Sequence, residues 1–135
     1  MSLPPDDPRT VVLQFVRGER PWTDLAAAGI TVHWEGYRCQ IDNPRGVVAV
    51  AGVTDLARGL LALANDPDRL RKWAFLVQAG SSFLDLDVGD GPTGEALLSA
   101  VWDASFGEPV SPAVLRSAEQ IVRGTGVTHE DIPGR

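Results

Sequence analysis

The sequence lacks the features that identify secreted, membrane and zinc-binding proteins. Its 135 residues include a single cysteine, Cys39, which excludes a disulfide within the chain. No CxxC pair or Cys/His cluster is present to bind zinc, and no run of about 18 apolar residues could cross a membrane. The N-terminal stretch MSLPPDDPRT also lacks the basic and then apolar order of a signal peptide. We therefore expect a cytoplasmic protein.

Recognisable catalytic motifs are also missing. The chain lacks G-x-x-x-x-G-K-[ST] and G-x-S-x-G, and no G-x-G-x-x-G is identified between a predicted strand and a helix. Cys39 and His33 lie on one predicted hairpin, but side chains alternate along a strand, so these two should point to opposite faces. The other histidine, His129, lies in a predicted mobile tail. No catalytic residue, metal ligand or cofactor is predicted.

Basic residues are absent from one long part of the sequence. The chain carries 18 acidic and 12 basic residues, which gives a formal net charge of -6, and no Lys or Arg lies between Lys72 and Arg116. The acidic residues of that interval are Asp85, Asp87, Asp90, Glu95, Asp103 and Glu108. They account for the whole imbalance, because the rest of the chain carries equal numbers of each sign. Such a field repels nucleic acids and anionic membranes and attracts a cationic protein.

The acidic turn at residues 85–90 also suggests an alternative function. Clustered carboxylates suit Mg²⁺ or Ca²⁺, so the alternative to a binding protein is a small hydrolase or a metal-dependent enzyme that uses this turn. The spacing does not fit an EF-hand, because with Asp85 at position one, Gly89 falls at position five and Ala96 at position twelve. An acidic turn that caps the following helix explains the same residues without a metal.

Residues 30–41 have the strongest strand pattern in the chain. Apolar and polar residues alternate on both sides of Glu35-Gly36, which predicts a β-hairpin with these two residues as its turn. In that register Trp34 pairs with Tyr37 and Val32 with Cys39. The predicted apolar face comprises Ile30, Val32, Trp34, Tyr37, Cys39 and Ile41, and the polar face comprises Thr31, His33, Arg38 and Gln40. Residues 47–50 can add a third short strand.

Helical periodicity and capping residues predict most of the remaining structure. Helical segments are expected at 8–17, 21–29, 54–64, 67–79, 92–106 and 112–123, with Thr54 as one N-cap. The run at 83–88 fits either a short strand or a helical turn. The predicted fold is α+β: an antiparallel β-hairpin or a three-stranded sheet at about residues 30–50, covered by three to four amphipathic helices. We expect a single domain over 1–135, with an ordered core at about 8–124 and mobile ends at 1–6 and 125–135.

The four tryptophans, Trp22, Trp34, Trp73 and Trp102, each lie on a predicted apolar face. Periodic tryptophans usually pack in a core, but one that reaches the surface makes a strong interface anchor. Trp102 is the candidate, because its helix also carries Glu95 and Asp103, about 80° apart on the helical wheel. The partner-binding surface is therefore predicted to comprise Asp85, Asp87, Asp90, Glu95, Asp103, Glu108 and Trp102.

The stretch RLRKWAFLVQAGSSFLDLDVGDGPTGEALLSAVWDASFG, at residues 69–107, resembles the later half of small bacterial proteins related to colicin-type immunity proteins. The likeness lies in a helix that ends near FLDL, an acidic turn, and a helix of the form EALLSAVWDASFG. The resemblance implies a non-catalytic acidic protein that binds and neutralises a cationic toxin nuclease domain. The oligomeric state is left open.

Overall fold

The computed structural model describes residues 7–36, 38–89 and 91–126, and within them the chain forms five α-helices and one 3₁₀ helix. The α-helices are α1 (Pro8–Val16), α2 (Val53–Leu63), α3 (Pro67–Ala79), α4 (Pro92–Ser105) and α5 (Pro112–Gly126), and the 3₁₀ helix is Trp22–Ala28. All six predicted helical segments are confirmed. Together with the strands they confirm the α+β class. No helix in the described ranges is long and apolar enough to cross a membrane.

Capping side chains fix where the helices begin. Asp7 caps α1, because its Oδ1 accepts the N–H of Arg9 at 2.8 Å. The hydrogen bond from the Arg9 side chain lowers the pKa of Asp7. At α2 the predicted cap, Thr54, is wrong. The N-cap is Gly52, whose N–H donates to Oδ2 of Asp55 at 2.9 Å, because the chain enters α2 directly from a strand.

The predicted β-hairpin is present as β1 (Thr31–Glu35) and β2 (Arg38–Asp42), paired antiparallel. Alternate residues of both strands are exposed, and those between them are half-buried. The half-buried residues are Val32, Trp34, Cys39 and Ile41. This arrangement confirms the predicted division into an apolar and a polar face for the described residues.

The predicted register of the hairpin is wrong by two residues. Trp34 pairs with Cys39 and Glu35 pairs with Arg38, so Glu35 belongs to β1 and the turn begins at Gly36. Gly36 stands at the first turn position with a φ of 63°, a left-handed conformation that glycine adopts without strain. Tyr37, which was predicted to face Trp34, lies outside the described residues. A slip of two residues leaves every other side chain on its predicted face, because the period of a strand is two.

The third predicted strand forms, but it does not join the hairpin. Strand β3 (Ala49–Gly52) pairs in parallel with β4 (Leu84–Asp87), so the hairpin is a separate sheet. Of the two predicted arrangements, the separate β-hairpin is confirmed and the three-stranded sheet is wrong. The run at 83–88 contains a strand and not a helical turn. Helices α2 and α3 form the crossover between β3 and β4, as parallel pairing requires.

The core lies where the helices meet the buried face of the β3–β4 sheet. Within the core, a glycine of α2 makes a close contact with two other helices. The backbone of Gly59 in α2 lies against the indole of Trp73 in α3 and the carbonyl of Val16 in α1. Trp73 is 2% exposed, and its Nε1 donates to the Val16 carbonyl oxygen at 2.9 Å. This one contact therefore holds three helices together.

Candidate functional site

Helix α4 exposes two large aromatic side chains. Trp102 is 54% exposed and Phe106 is 69% exposed, and their rings meet nearly edge to face with centroids 5.5 Å apart. The prediction that Trp102 lies on the inward apolar face of its helix is wrong. The buried face of α4 instead comprises Gly94, Leu97, Ala100, Val101 and Ala104. Three of these five residues are small, and α4 packs against α3 more extensively than against any other element.

A groove runs between α3 and α4 beside this aromatic pair. Its volume is about 630 Å³, and its apolar walls are formed by Phe75 and Ala79 from α3 and by Trp102 and Phe106 from α4. The polar residues lining the groove are Arg71, Gln78 and Ser105. An apolar concavity with a few polar groups at its edge is the usual form of a site that accepts a side chain from a binding partner. We call this feature the α3–α4 groove.

The wall formed by Phe75 is supported from behind by other aromatic rings. The Phe75 ring contacts Trp34 of the hairpin at a centroid distance of 5.6 Å, and Trp34 contacts Trp22 at 6.0 Å. The ammonium of Lys72 lies 5.9 Å from both tryptophan rings, within the range of a cation–π interaction. This cluster ties α3 to the hairpin and fixes the position of Phe75.

Three of the predicted acidic residues lie on or next to the helix that forms the groove. Glu95, seven residues before Trp102, lies on the same exposed stripe of α4. Asp103 follows Trp102 and is exposed, and Glu108 follows the helix end, where its N–H donates to the Asp103 carbonyl oxygen at 3.1 Å. Trp102 therefore shares α4 with Glu95 and Asp103, and Glu108 follows the end of the helix.

The remaining predicted acidic residues lie on a different element. Asp85 and Asp87 occupy alternate positions of β4, and both side chains are exposed. Asp90 lies outside the described residues. Within the described ranges, no three His, Cys, Asp or Glu side chains come close enough to hold a metal ion. The predicted acidic residues within the described ranges therefore lie on two elements, with Asp85 and Asp87 on β4 and the others on α4 or just after it.

The loop between β4 and α4 carries a glycine pattern that was not identified from the sequence. Residues 89–94 read Gly-Asp-Gly-Pro-Thr-Gly, a match to G-x-G-x-x-G between a strand and a helix. Gly89 makes the turn with a φ of 76°, and a Cβ at Gly94 would collide with the carbonyl of Val88. The pattern thus explains the close approach of α4 to the strand. The surrounding charge opposes a phosphate, because the first turn of α4 carries Glu95 and the segment has no basic residue.

The hairpin forms a second cavity, of about 460 Å³, whose lining includes both His33 and Cys39. As predicted, these two side chains belong to opposite faces: His33 is exposed and Cys39 is half-buried. Burial raises the pKa of the Cys39 thiol above its usual range. A thiol that stays protonated at neutral pH is a poor nucleophile, so this cavity lacks an activated cysteine.

We expect Cys39 to react slowly in the folded protein. At pH 8 the folded chain should react with an aromatic disulfide reagent at least about ten times more slowly than the chain unfolded in denaturant, because burial suppresses the thiolate and restricts access. The release of the coloured thiol measures both rates. A folded rate equal to or above the unfolded rate would contradict this expectation and would identify Cys39 as activated.

Two residues of the site, Phe75 and Phe106, were missed from the sequence. Phe106 lies four residues after Trp102, a spacing that places both on one helix face and could have revealed the pair. Phe75 gave no such indication, because its role depends on a contact with the hairpin.

Comparisons of the chain with protein-family models, with curated proteins and with solved structures found no match.

Proposed function

We propose that this chain is a non-catalytic protein-binding module whose binding surface is the α3–α4 groove. The observation that carries the proposal is the exposure of Trp102 and Phe106 side by side at the mouth of that groove. Among the described residues, only Val48 and Val50 are comparably exposed large hydrophobic side chains. Two contiguous aromatic rings in water are unfavourable, and burying them against a partner supplies the free energy for association.

The groove supports a particular kind of contact. Phe75 is held by the hairpin cluster and Trp102 is held edge to face by Phe106, so the apolar walls are positioned before a partner arrives. Preorganised anchors lose little conformational entropy on binding. A groove of about 630 Å³ has room for more than one apolar side chain of the partner, and the polar residues around it would form the rim.

The charge on this side of α4 determines the chemistry of the partner. Glu95 and Asp103 lie exposed on the helix that carries the aromatic pair, Glu108 follows its end, and Arg71 of α3 is the basic residue in the groove lining. A partner segment that carries Lys or Arg around its apolar anchor complements this rim, and opposite charges accelerate encounter. Asp85 and Asp87 on the sheet, with Asp90, add to the long-range attraction.

The narrower form of the proposal is immunity: the partner is a cationic toxin nuclease domain, and binding neutralises it. It rests on the resemblance over residues 69–107 and on the acidic charge of the same interval. This form of the proposal is tested with the protein that the adjacent reading frame encodes. Co-expression should protect cells from that product if it is a toxin, and loss of protection with the Trp102→Ala variant is expected. Unchanged protection with the variant, or no protection at all, argues against this form.

We expect Trp102→Ala to weaken binding about 30-fold, because truncation of a central aromatic anchor costs about 2 kcal/mol. The probe is a fluorescent amphipathic peptide of Lys and Leu with one Trp, compared with a peptide in which Glu replaces Lys. Fluorescence anisotropy gives both affinities. Only the Lys peptide should bind, and its association should slow as salt is raised.

Val48→Ala is the matched control, because Val48 is an exposed apolar side chain that does not line the α3–α4 groove. It should leave the affinity for the Lys peptide unchanged. Equal binding by the wild type and Trp102→Ala, or equal binding of the Lys and Glu peptides, would rule out the proposed surface.

A further inference from the structure

The outer edge of β3 presents backbone groups without partners. Ala49 donates its N–H to the Phe83 carbonyl oxygen at 3.0 Å, and Val50 stands opposite Asp85 in the parallel register. In a parallel ladder both backbone groups of alternate residues point to the same neighbour. Ala49 and Ala51 therefore bond to β4, and the N–H and C=O of Val48 and Val50 point away from it. No hydrogen bond joins these four groups to any other described residue.

The same edge lacks the usual protection against pairing with another chain. Natural edge strands carry charges or proline that block such pairing, and the hairpin follows this rule with Glu35, Arg38 and Asp42 at exposed positions. Residues 46–53 read GVVAVAGV and contain neither a charge nor a proline. Val48 is 45% exposed and Val50 is 58% exposed. The β3 edge is therefore apolar, extended and unblocked.

We propose that the β3 edge pairs with the β3 edge of a second copy of this chain, antiparallel about a two-fold axis at Ala49. In that register Val48 lies opposite Val50 of the second copy, and Val50 lies opposite its Val48. All four outward N–H and C=O groups of each copy then find partners across the axis. The product is a continuous four-stranded sheet, with four valines grouped on its exposed face.

The lack of charge on the β3 edge and the small size of its sheet both favour a second copy of this chain as the partner of that edge. An uncharged edge is self-complementary, and a symmetric pairing needs the same patch on both copies. The exposed carboxylates of the sheet, Asp85 and Asp87, lie on β4 and so are separated from their equivalents by two intervening strands. That spacing is about 14 Å, beyond the Debye length at physiological salt. Isolated two-stranded sheets are marginally stable, and pairing extends this one.

The test is the oligomeric state of the full chain as a function of concentration. Sedimentation velocity from about 10 μM to about 1 mM should record a monomer that converts to a dimer, because so short an interface gives a weak complex. Val50→Lys should remain monomeric throughout, since it places two like charges near the axis. Val50→Thr keeps a branched side chain and should dimerise within about threefold of the wild type. Circular dichroism confirms that both variants fold.

Amide hydrogen exchange locates the contact. The N–H groups of Val48 and Val50 should become protected as the concentration rises, and protection of Ala49 and Ala51 should already be present in the monomer. A chain that stays monomeric over the whole range overturns the proposal. A dimer that survives Val50→Lys overturns it as well. Trp102→Ala should leave the dimer intact, because Trp102 belongs to the α3–α4 groove. The dimer and the proposed function are therefore tested independently.

Discussion

Replacing Gly59 by alanine is expected to destabilise the folded protein by about 3 kcal/mol. A Cβ at this position would lie 2.3 Å from the Cζ2 atom of Trp73 and 2.3 Å from the carbonyl oxygen of Val16. Neither atom can yield easily, because one belongs to a buried indole and the other to the backbone of α1. The clash outweighs the gain of about 1 kcal/mol that alanine normally brings to a helix interior.

Urea denaturation followed by circular dichroism measures the change in the free energy of unfolding. Gly124→Ala is the matched control, because Gly124 also lies in a helix, α5, and a Cβ there would meet nothing within 4 Å. That variant should be stabilised by about 0.5–1 kcal/mol. A Gly59→Ala variant as stable as the wild type would mean that the helices can separate without cost, contrary to the packing described.

Trp73→Ala is expected to destabilise the protein by about 4 kcal/mol, the larger of the two effects. The substitution leaves a cavity at the junction of three helices and deprives the buried Val16 carbonyl of its hydrogen-bond donor. Trp73→Phe keeps most of the ring contact and loses the donor, so a cost of about 1–2 kcal/mol is expected. The same urea titrations separate the two contributions. Equal stability of the two variants would show that the cavity contributes little.

The two predictions are coupled, because both residues belong to one contact. In the Trp73→Ala background, Gly59→Ala should cost less than it does alone, since the indole that opposes the new Cβ is gone. The relief is partial, because the Val16 carbonyl remains 2.3 Å from the new Cβ. A double-mutant cycle measures this coupling free energy. Strict additivity would contradict the close approach between Gly59 and Trp73.

Local features of the sequence predict the helices well. Each α-helix other than α2 begins with a proline that follows Asp7, Asp66, Gly91 or Ser111, and these residues mark helix starts within a few positions of sequence. The two faces of the hairpin could also be predicted locally, because side chains alternate along each strand and a slip of two residues leaves each of them on the same face. Its turn was misplaced because Gly36 can be either the second or the first residue of a two-residue turn, and only the strand pairing chooses between them.

The pairing of β3 with β4 could not be predicted in the same way. Residues 47–50 follow the hairpin closely in sequence, which favoured adding them to it, and no local pattern specifies a parallel partner beyond two helices. Trp102 was assigned to the apolar face of its helix because hydrophobicity outweighs size in a periodicity count, although it was also the candidate to reach the surface. The buried face of α4 includes three small residues, Gly94, Ala100 and Ala104, which a count of hydrophobicity underrates, and Gly94 lies against Val88.

The separation of β3 from β4 along the chain also affects how the protein emerges from the ribosome. Synthesis proceeds from the N-terminus, so residues 49–52 leave the exit tunnel before α2, α3 and β4 emerge from it. During that interval both edges of β3 are unpaired, and the uncharged GVVAVAGV segment is open to contact with nascent chains of the same sequence. Polysomes bring such chains close together. The nascent chain is therefore most prone to co-aggregation between the release of Gly52 and the release of Asp87, when β4 completes the sheet.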